Sequence, residues 1–379
     1  MEGIINLKKY EIETLLAQAG NHSQEDPYGT VATPIYLSST FRHGKLSDVD
    51  HFDYEKQYAY SRMANPTRKT LEQTLTLLEE GTKGFALSSG MAAIELVFSL
   101  FKSGDEIIST DDLYGGTFRY FDHLSEHYGL KFTQWDGTNN DELIKRVTSK
   151  TVALWIETPS NPTMKKTDIA EIAALVHGIN SNIKVIVDNT FYTPIYQKPL
   201  DLGADIVVHS ATKYLSGHND LLGGAVICKD TKTADSLTFN FNTTGAVLDP
   251  FDSWLLLRSL KTLPLRMHQH TENAQNIVKF LSNSSAVSKV LYPGKGGMIS
   301  FYLKDKTKLA AFFDRLKIIS FAESLGGIES LVTLPAKQTH HDMPVEQREK
   351  LGITDNLLRL SVGLESSKDL IAELKNALE

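Results

Sequence analysis

The chain has 379 residues, a formal net charge of −7, and 41% hydrophobic and 22% charged residues. That length and balance describe a globular protein of about two domains with ample core. The acidic balance and the lack of a basic run exclude the footprint of a nucleic-acid binder, and the lack of any run of about 18 apolar residues predicts no membrane span.

In chain order, the opening MEGIINLKKYEIE carries charges where a secretory leader would be apolar, which predicts a cytoplasmic protein. Residues 1–55 read as an N-terminal arm, irregular and rich in Asn, His, Gly and Pro through about residue 50. Residues 56–245 read as a large domain. Leu71, Leu75 and Leu78 recur at helical spacing between Arg68 and Glu80. Then GFALSS, EIIST, TVALWIE, IKVIVDN, ADIVVHS and GGAVIC are short, nearly continuous apolar runs, as strands buried on both faces are. Helical segments near 114–129, 140–148 and 168–179 fall between several of them, so the fold class is α/β with a mostly parallel sheet. The single cysteine, Cys228, lies in the last run and reads as a buried strand residue that forms no internal disulfide. Residues 246–379 read as a smaller α+β domain. Its parts are one long helical region from Asp249 to Asn283 broken or kinked at Pro264, the strand GMISFYL, a helix from about Lys306 to Lys317, the strand LLRLSVG and a terminal helix from about Lys368.

Chemistry gathers at the predicted strand ends. Lys213 follows ADIVVHS between hydroxyls, and an amine there, freed by a lowered pKa, can form an imine with an aldehyde. Ser210 and Thr212 alternate in an extended segment, so both hydroxyls can face one phosphate. Asp188 ends IKVIVDN, where α/β sheets bind ligands, and can pair with a protonated pyridine nitrogen. Gly90 and Met91 open a helix after SSG, a backbone anion site. Tyr114 can stack on a ring and move protons, and Asn161 can reach a phenolic oxygen. Each has a plain alternative: a loop lysine, a turn aspartate, an ordinary N-cap, a core tyrosine, a turn asparagine. Their convergence on one sheet edge points to pyridoxal 5'-phosphate (PLP) as cofactor.

In chain order, YSRMANPTR (60–68), SSGMAA, YGGTFR, ETPSNP, VDNTF, HSATKYLSGH, ESLGGIESL (323–331) and LLRLSVGLE (357–365) closely resemble the Cys/Met-metabolism family of PLP enzymes, from about Thr30 to the C-terminus. The resemblance implies a PLP-dependent transferase fold of the aspartate-aminotransferase-like type I. It makes Lys213 the Schiff-base residue and Asp188 the ring-nitrogen partner. Gly90, Met91, Ser210 and Thr212 would hold phosphate, Tyr114 would stack on the ring, and Asn161 would line the site. Tyr60 and Arg62 would reach the cofactor of a neighbouring subunit, which implies a homodimer, usually paired into a homotetramer. Arg359 would clamp the substrate α-carboxylate, with Glu323, Ser324 and Arg119 also at the substrate. An arginine inside the apolar run LLRLSVG independently calls for a carboxylate partner.

Glu323 resembles the glutamate of family members that work at the γ-carbon, and YPGKGGMISF (292–301) resembles a shortened form found in bacterial cystathionine γ-synthases that double as O-acetylhomoserine thiolyases. Ala59 stands where the family usually carries an acid, which weighs against a lyase. The expected activity is γ-replacement on an O-acylhomoserine by cysteine or sulfide, in methionine biosynthesis and transsulfuration. The alternatives are a cystathionine or homocysteine γ-lyase and, remotely, a non-catalytic PLP-fold binding protein. His123 and His127 match the H-x-x-E-H zinc pattern, but Phe121, Leu124 and Tyr128 form the apolar stripe of that helix, so both are expected at the surface. His340-His341-Asp342 lacks a spaced companion ligand, and no dinucleotide or P-loop signature is present.

Overall fold

The computed structural model describes residues 9–21, 26–53 and 57–379; part of the charged opening on which the leader reading rests lies outside them. Among the described residues, seven strands form the larger sheet: β1 (Lys83–Leu87), β2 (Glu106–Thr110), β3 (Lys131–Trp135), β4 (Thr151–Glu157), β5 (Lys184–Asp188), β6 (Ile206–Ser210) and β7 (Gly224–Cys228). Their order is β1-β7-β6-β5-β4-β2-β3, parallel from β3 to β6, with β7 antiparallel to both of its neighbours. The mostly parallel sheet is therefore present with one reversed strand.

Alternation along each strand feeds two cores. Val185 and Val187 of β5 pack on one face with Leu71, Leu75 and Leu78 of the helix Pro66–Leu78, while Ile186 packs on the other with Ala93 and Val97 of the helix Gly90–Phe98. Helices cover both faces, which is why the strand runs are apolar almost throughout. Cys228 is fully buried in β7.

The second sheet contains β8 (Val287–Leu291), β9 (Met298–Leu303), β10 (Ser320–Phe321), β11 (Leu331–Thr333) and β12 (Leu357–Ser361), in the order β10-β11-β12-β9-β8. Its apolar face packs with Ala274, Ile277 and Leu281 of the helix Leu263–Ser282 and Leu370 and Leu374 of the helix Ser367–Leu378. The long helical region divides at Lys261–Thr262, and Pro264 sits in the first turn of the second helix, where its missing N–H costs nothing.

Several elements depart from the sequence expectation. β3 is an edge strand of mixed polar and aromatic residues, so no continuous apolar run marks it. The helix Thr231–Thr244, capped by Asp230, is built largely from Thr and Asn, which are weak helix formers; Ala234, Leu237 and Phe241 hold it to the core. The short β10 and β11 also lacked a signal. The segment expected to be irregular contains the helix Ile12–Ala17, whose Leu15 and Leu16 are buried in the core.

One close approach in this scaffold bears on the site. A methyl group on Gly224 of β7 would lie 2.0 Å from the carbonyl oxygen of Ser89, the residue whose side chain caps the helix Gly90–Phe98. Backbone meets backbone, so neither side can yield. Gly224→Ala is expected to push that helix start outward, costing about 1–3 kcal/mol of stability on the scale of overpacking, and to weaken PLP retention. A thermal melt of the apo-protein with a PLP titration checks both.

Candidate active site

The ends of β4, β5 and β6 meet at one edge of the larger sheet. Glu157 ends β4 and Asp188 ends β5, and the two are paired in register. Asp188 accepts hydrogen bonds from the backbone N–H (3.0 Å) and hydroxyl of Thr190. Glu157 accepts the backbone N–H of Tyr114 at 2.9 Å. Burial pushes both carboxyls above their usual range; for Glu157 the adjacent Asp188 adds to the effect, opposed by the Tyr114 N–H. Thr190 joins this pair to the next strand, since its hydroxyl also accepts the Ser210 N–H at 2.9 Å.

Lys213 lies just beyond β6 and donates from Nζ to Oγ of Ser324 at 2.9 Å. Burial pulls its ammonium down to about 8; the Arg359 guanidinium acts in the same direction, and the Glu323 carboxylate opposes them. Arg359, buried in β12 of the second sheet, donates to Asn161 Oδ1 (2.8 Å) and to the carbonyl of Ser324 (2.9 Å). Its Nε is buried without a partner, and no carboxylate pairs with it among the described residues. Burial lowers this guanidinium to about 10. Ser324 holds both cations from a backbone φ of +83°, uncommon for a residue with a side chain.

Gly90 starts its helix against Ser210: a Cβ there would stand 2.8 Å from the Ser210 Cβ. Met91 follows and packs against the core. The Thr212 hydroxyl is shared with Gly223, accepting its N–H at 3.0 Å and donating to its carbonyl at 3.2 Å. Tyr114 precedes the helix Gly115–Tyr128, is 40% exposed, and has its ring over Gly116.

Within the chain, Tyr60 and Arg62 stand apart from this cluster. Both are exposed; Arg62 donates to the Asn242 carbonyl, and its guanidinium lies 5.7 Å from the Tyr60 ring. Arg119 makes an exposed ion pair with Asp342 at 2.7 Å, and Glu323 is exposed beside Lys213's partner Ser324. His123 and His127 are exposed, their rings 4.5 Å apart. No group of three or more His, Cys, Asp or Glu among the described residues is placed to hold a metal ion.

Sequence reasoning missed Glu157, although it ends an apolar run as Asp188 does. It also missed Thr190, and it weighed His340 only as a metal ligand. His340 is buried, with Nε2 3.2 Å from the Leu113 carbonyl, and burial and the nearby Arg359 hold its imidazole down at about 4.

These features fit PLP. The Glu157 and Asp188 carboxyls, in register and with no cation in direct contact among the described residues, suit a protonated ring nitrogen. A glycine-opened helix start beside Ser210 suits a phosphate, and Lys213 is an amine close to neutrality. Strand order and site together define a type I PLP-dependent enzyme, an α/β transferase fold with a second, smaller sheet. The model of the family described as Cys/Met metabolism PLP-dependent enzyme matches residues 13–379, and the chain belongs to that family. It is 51% identical over 369 residues to a Bacillus subtilis protein named cystathionine gamma-synthase/O-acetylhomoserine (thiol)-lyase, covering 97% of this chain and 96% of that one. It is 47% identical to the cystathionine gamma-synthase of Haemophilus influenzae, covering 98% of each. The solved structure of cystathionine gamma-lyase from Lactobacillus plantarum, complexed with L-serine, superposes with a TM-score of 0.92 at 42% identity, covering 97% of this chain and 98% of that one. No helix of the described residues is long and apolar enough to cross a membrane.

The lowered Lys213 pKa sets an expected pH dependence. Below about 8 the amine is protonated, so the rate of PLP loading into apo-protein should rise about tenfold per pH unit and level off above that value. Glu323→Gln removes the carboxylate that supports the ammonium and should move the midpoint down. Stopped-flow absorbance of PLP incorporation across pH 6–10 checks the curve; a midpoint near the ordinary lysine value would contradict the buried-amine account.

Proposed function

We propose that this enzyme catalyses γ-replacement on an O-acylhomoserine, expelling the acyl group as a carboxylate and joining Cγ to the sulfur of cysteine or sulfide, to give cystathionine or homocysteine. The observation that carries this reading is the Lys213–Ser324–Arg359 arrangement: a near-neutral amine and a buried guanidinium without an acid, tied to one residue. An α-amino acid supplies what both lack, a carboxylate for Arg359 and a proton at Cα for Lys213.

Bound PLP supplies an electron-withdrawing ring that acidifies the substrate carbons. In the proposed roles, Asp188 faces the ring nitrogen and stabilises its protonated form. The backbone at Gly90 and Met91, with Ser210 and Thr212, holds the phosphate. Tyr114 stacks on the ring and moves the proton of the incoming amine. Asn161, already bonded to Arg359, orients the guanidinium toward the carboxylate. Lys213 would move the Cα proton, take a Cβ proton as the carboxylate leaves Cγ, and return a proton to each carbon once the sulfur has added. Glu323 and Arg119 border the path to the substrate's far end. Tyr60 and Arg62, exposed in the single chain, fit service to a neighbouring subunit's phosphate in a homodimer paired into a tetramer. A cytoplasmic setting accords with this metabolism.

The synthase reading is supported by Glu323 near Lys213, by Ala59, and by the names of the Bacillus and Haemophilus relatives. Expelling a carboxylate from Cγ needs no grip on a distal amino acid. A lyase binding cystathionine must satisfy a distal ammonium, and an unpaired buried charge is costly. A second reading, γ-elimination from cystathionine or homocysteine, is favoured by the likeness to the Lactobacillus enzyme.

Higher kcat/KM is expected for O-acetyl- or O-succinylhomoserine plus cysteine than for cystathionine cleavage, measured on one substrate panel that includes O-phosphohomoserine and sulfide. Faster cystathionine cleavage would replace the synthase with the lyase. Arg359→Ala should cost both reactions about 1.5–3 kcal/mol or more in kcat/KM, since the α-carboxylate is common to them. For the shared site, mixing Arg62→Ala with Lys213→Ala subunits should recover activity in hybrid dimers, where one site has both residues intact. Verified hybrids without activity would contradict it.

A further inference from the structure

On the face of the larger sheet opposite Ser210 lies a buried Glu–His pair that the proposed chemistry does not use. His209, on the face shared with Val207, places Nε2 2.6 Å from Oε1 of Glu79, and their side chains are 0% and 1% exposed. The same oxygen accepts Nδ2–H of Asn189 at 3.0 Å, and Asn189 is also fully buried. Gln197 extends the network, donating to Asn189 Oδ1 (3.0 Å) and to the Thr158 carbonyl (3.3 Å).

Each strand-borne member adjoins a residue of the site. Asn189 follows Asp188, His209 precedes Ser210, and Thr158 follows Glu157. One buried carboxylate thus gathers the ends of β5 and β6 and, through Gln197, reaches the end of β4. Glu79 is also the C-cap of the helix Pro66–Leu78, where a negative charge meets the negative end of the helix dipole. Glu79 Oε2 and His209 Nδ1 are buried without partners. Desolvation and dipole both count against the pair, and an apolar pair of similar volume would hold the helix to the sheet at least as well. Adhesion alone therefore does not account for it.

We propose that Glu79 and His209 are positioning residues for PLP, holding Asp188 in place against the ring nitrogen. The inference rests on the reading of Asp188 given above. Pairing with Glu79 fixes the orientation of the His209 ring, and Asn189, held by the same carboxylate oxygen, directly follows Asp188.

The test is a double-mutant cycle on full-length apo-protein, read as PLP affinity by absorbance and fluorescence titration. Glu79→Gln keeps the shape and removes the charge, and Asp188→Asn removes the ring-nitrogen partner. Glu79→Gln should weaken PLP binding about tenfold in the wild-type background and less than about twofold in the Asp188→Asn background, because residues acting as one unit are not additive. Glu79→Asp should restore part of the affinity. An equal Glu79→Gln loss in both backgrounds, or none in either, overturns the inference while leaving the role of Asp188 intact. Wild-type affinity in Asp188→Asn overturns the reading of Asp188 and this inference with it. Far-UV melts report folding; if Glu79→Gln does not fold, His209→Asn runs the same cycle with the same outcomes.

Discussion

Placing like charges together in a dry interior is the constraint on which this structure turns. Glu157 and Asp188 end adjacent parallel strands in register, so two carboxylates share one buried edge, and Lys213 and Arg359 lie near each other a short distance away. Neither set is neutralised by direct contact with the other. Each is stabilised by neutral donors and acceptors: Thr190 and the Tyr114 N–H for the acids, Ser324 and Asn161 for the cations. Burial then shifts every group toward its neutral form. A ligand bearing a cationic nitrogen on one side and a carboxylate on the other relieves both strains at once.

Parallel strands make this arrangement possible. They deliver successive chain segments to one edge, and the helices on both faces keep water from it. The second sheet closes the site from above by presenting Arg359 in the middle of β12, where pairing with β9 and β11 leaves its backbone little freedom. The short turn Tyr292–Gly297 tightens that closure, since Gly297 donates to the Tyr214 hydroxyl, one residue from Lys213.

Much of this was legible in the chain because burial on both faces writes continuous apolar runs. β1, β2 and β4 to β7 carry that signature, and the residues that end them could be read off directly. β3 could not, because an edge strand of Lys, Thr and Gln between aromatics has no such run. The helix Thr231–Thr244 was hidden by its Thr and Asn content, which only tertiary packing overrides. At the site, Asp188, Asn161 and Lys213 stood out because their chemistry is unusual at strand ends. Glu157 has the same placement, yet its function depends on being beside Asp188, and adjacency across strands is not written in sequence spacing. Glu79 and His209 are 130 positions apart, so their contact exists only once the sheet forms.

Ser324 ties Lys213 through its hydroxyl and Arg359 through its carbonyl, and its left-handed backbone persists only because its surroundings hold it there. It therefore works as a fixed spacer between a carboxylate anchor and a proton carrier. With the proposed roles, every amino acid would present Cα at the same offset from the amine, whatever lies beyond it. The near end of the substrate is gauged and the far end is not. A scaffold built this way can exchange leaving groups and nucleophiles without rebuilding its centre, which is the pattern seen in relatives named as synthases and lyases at similar degrees of identity.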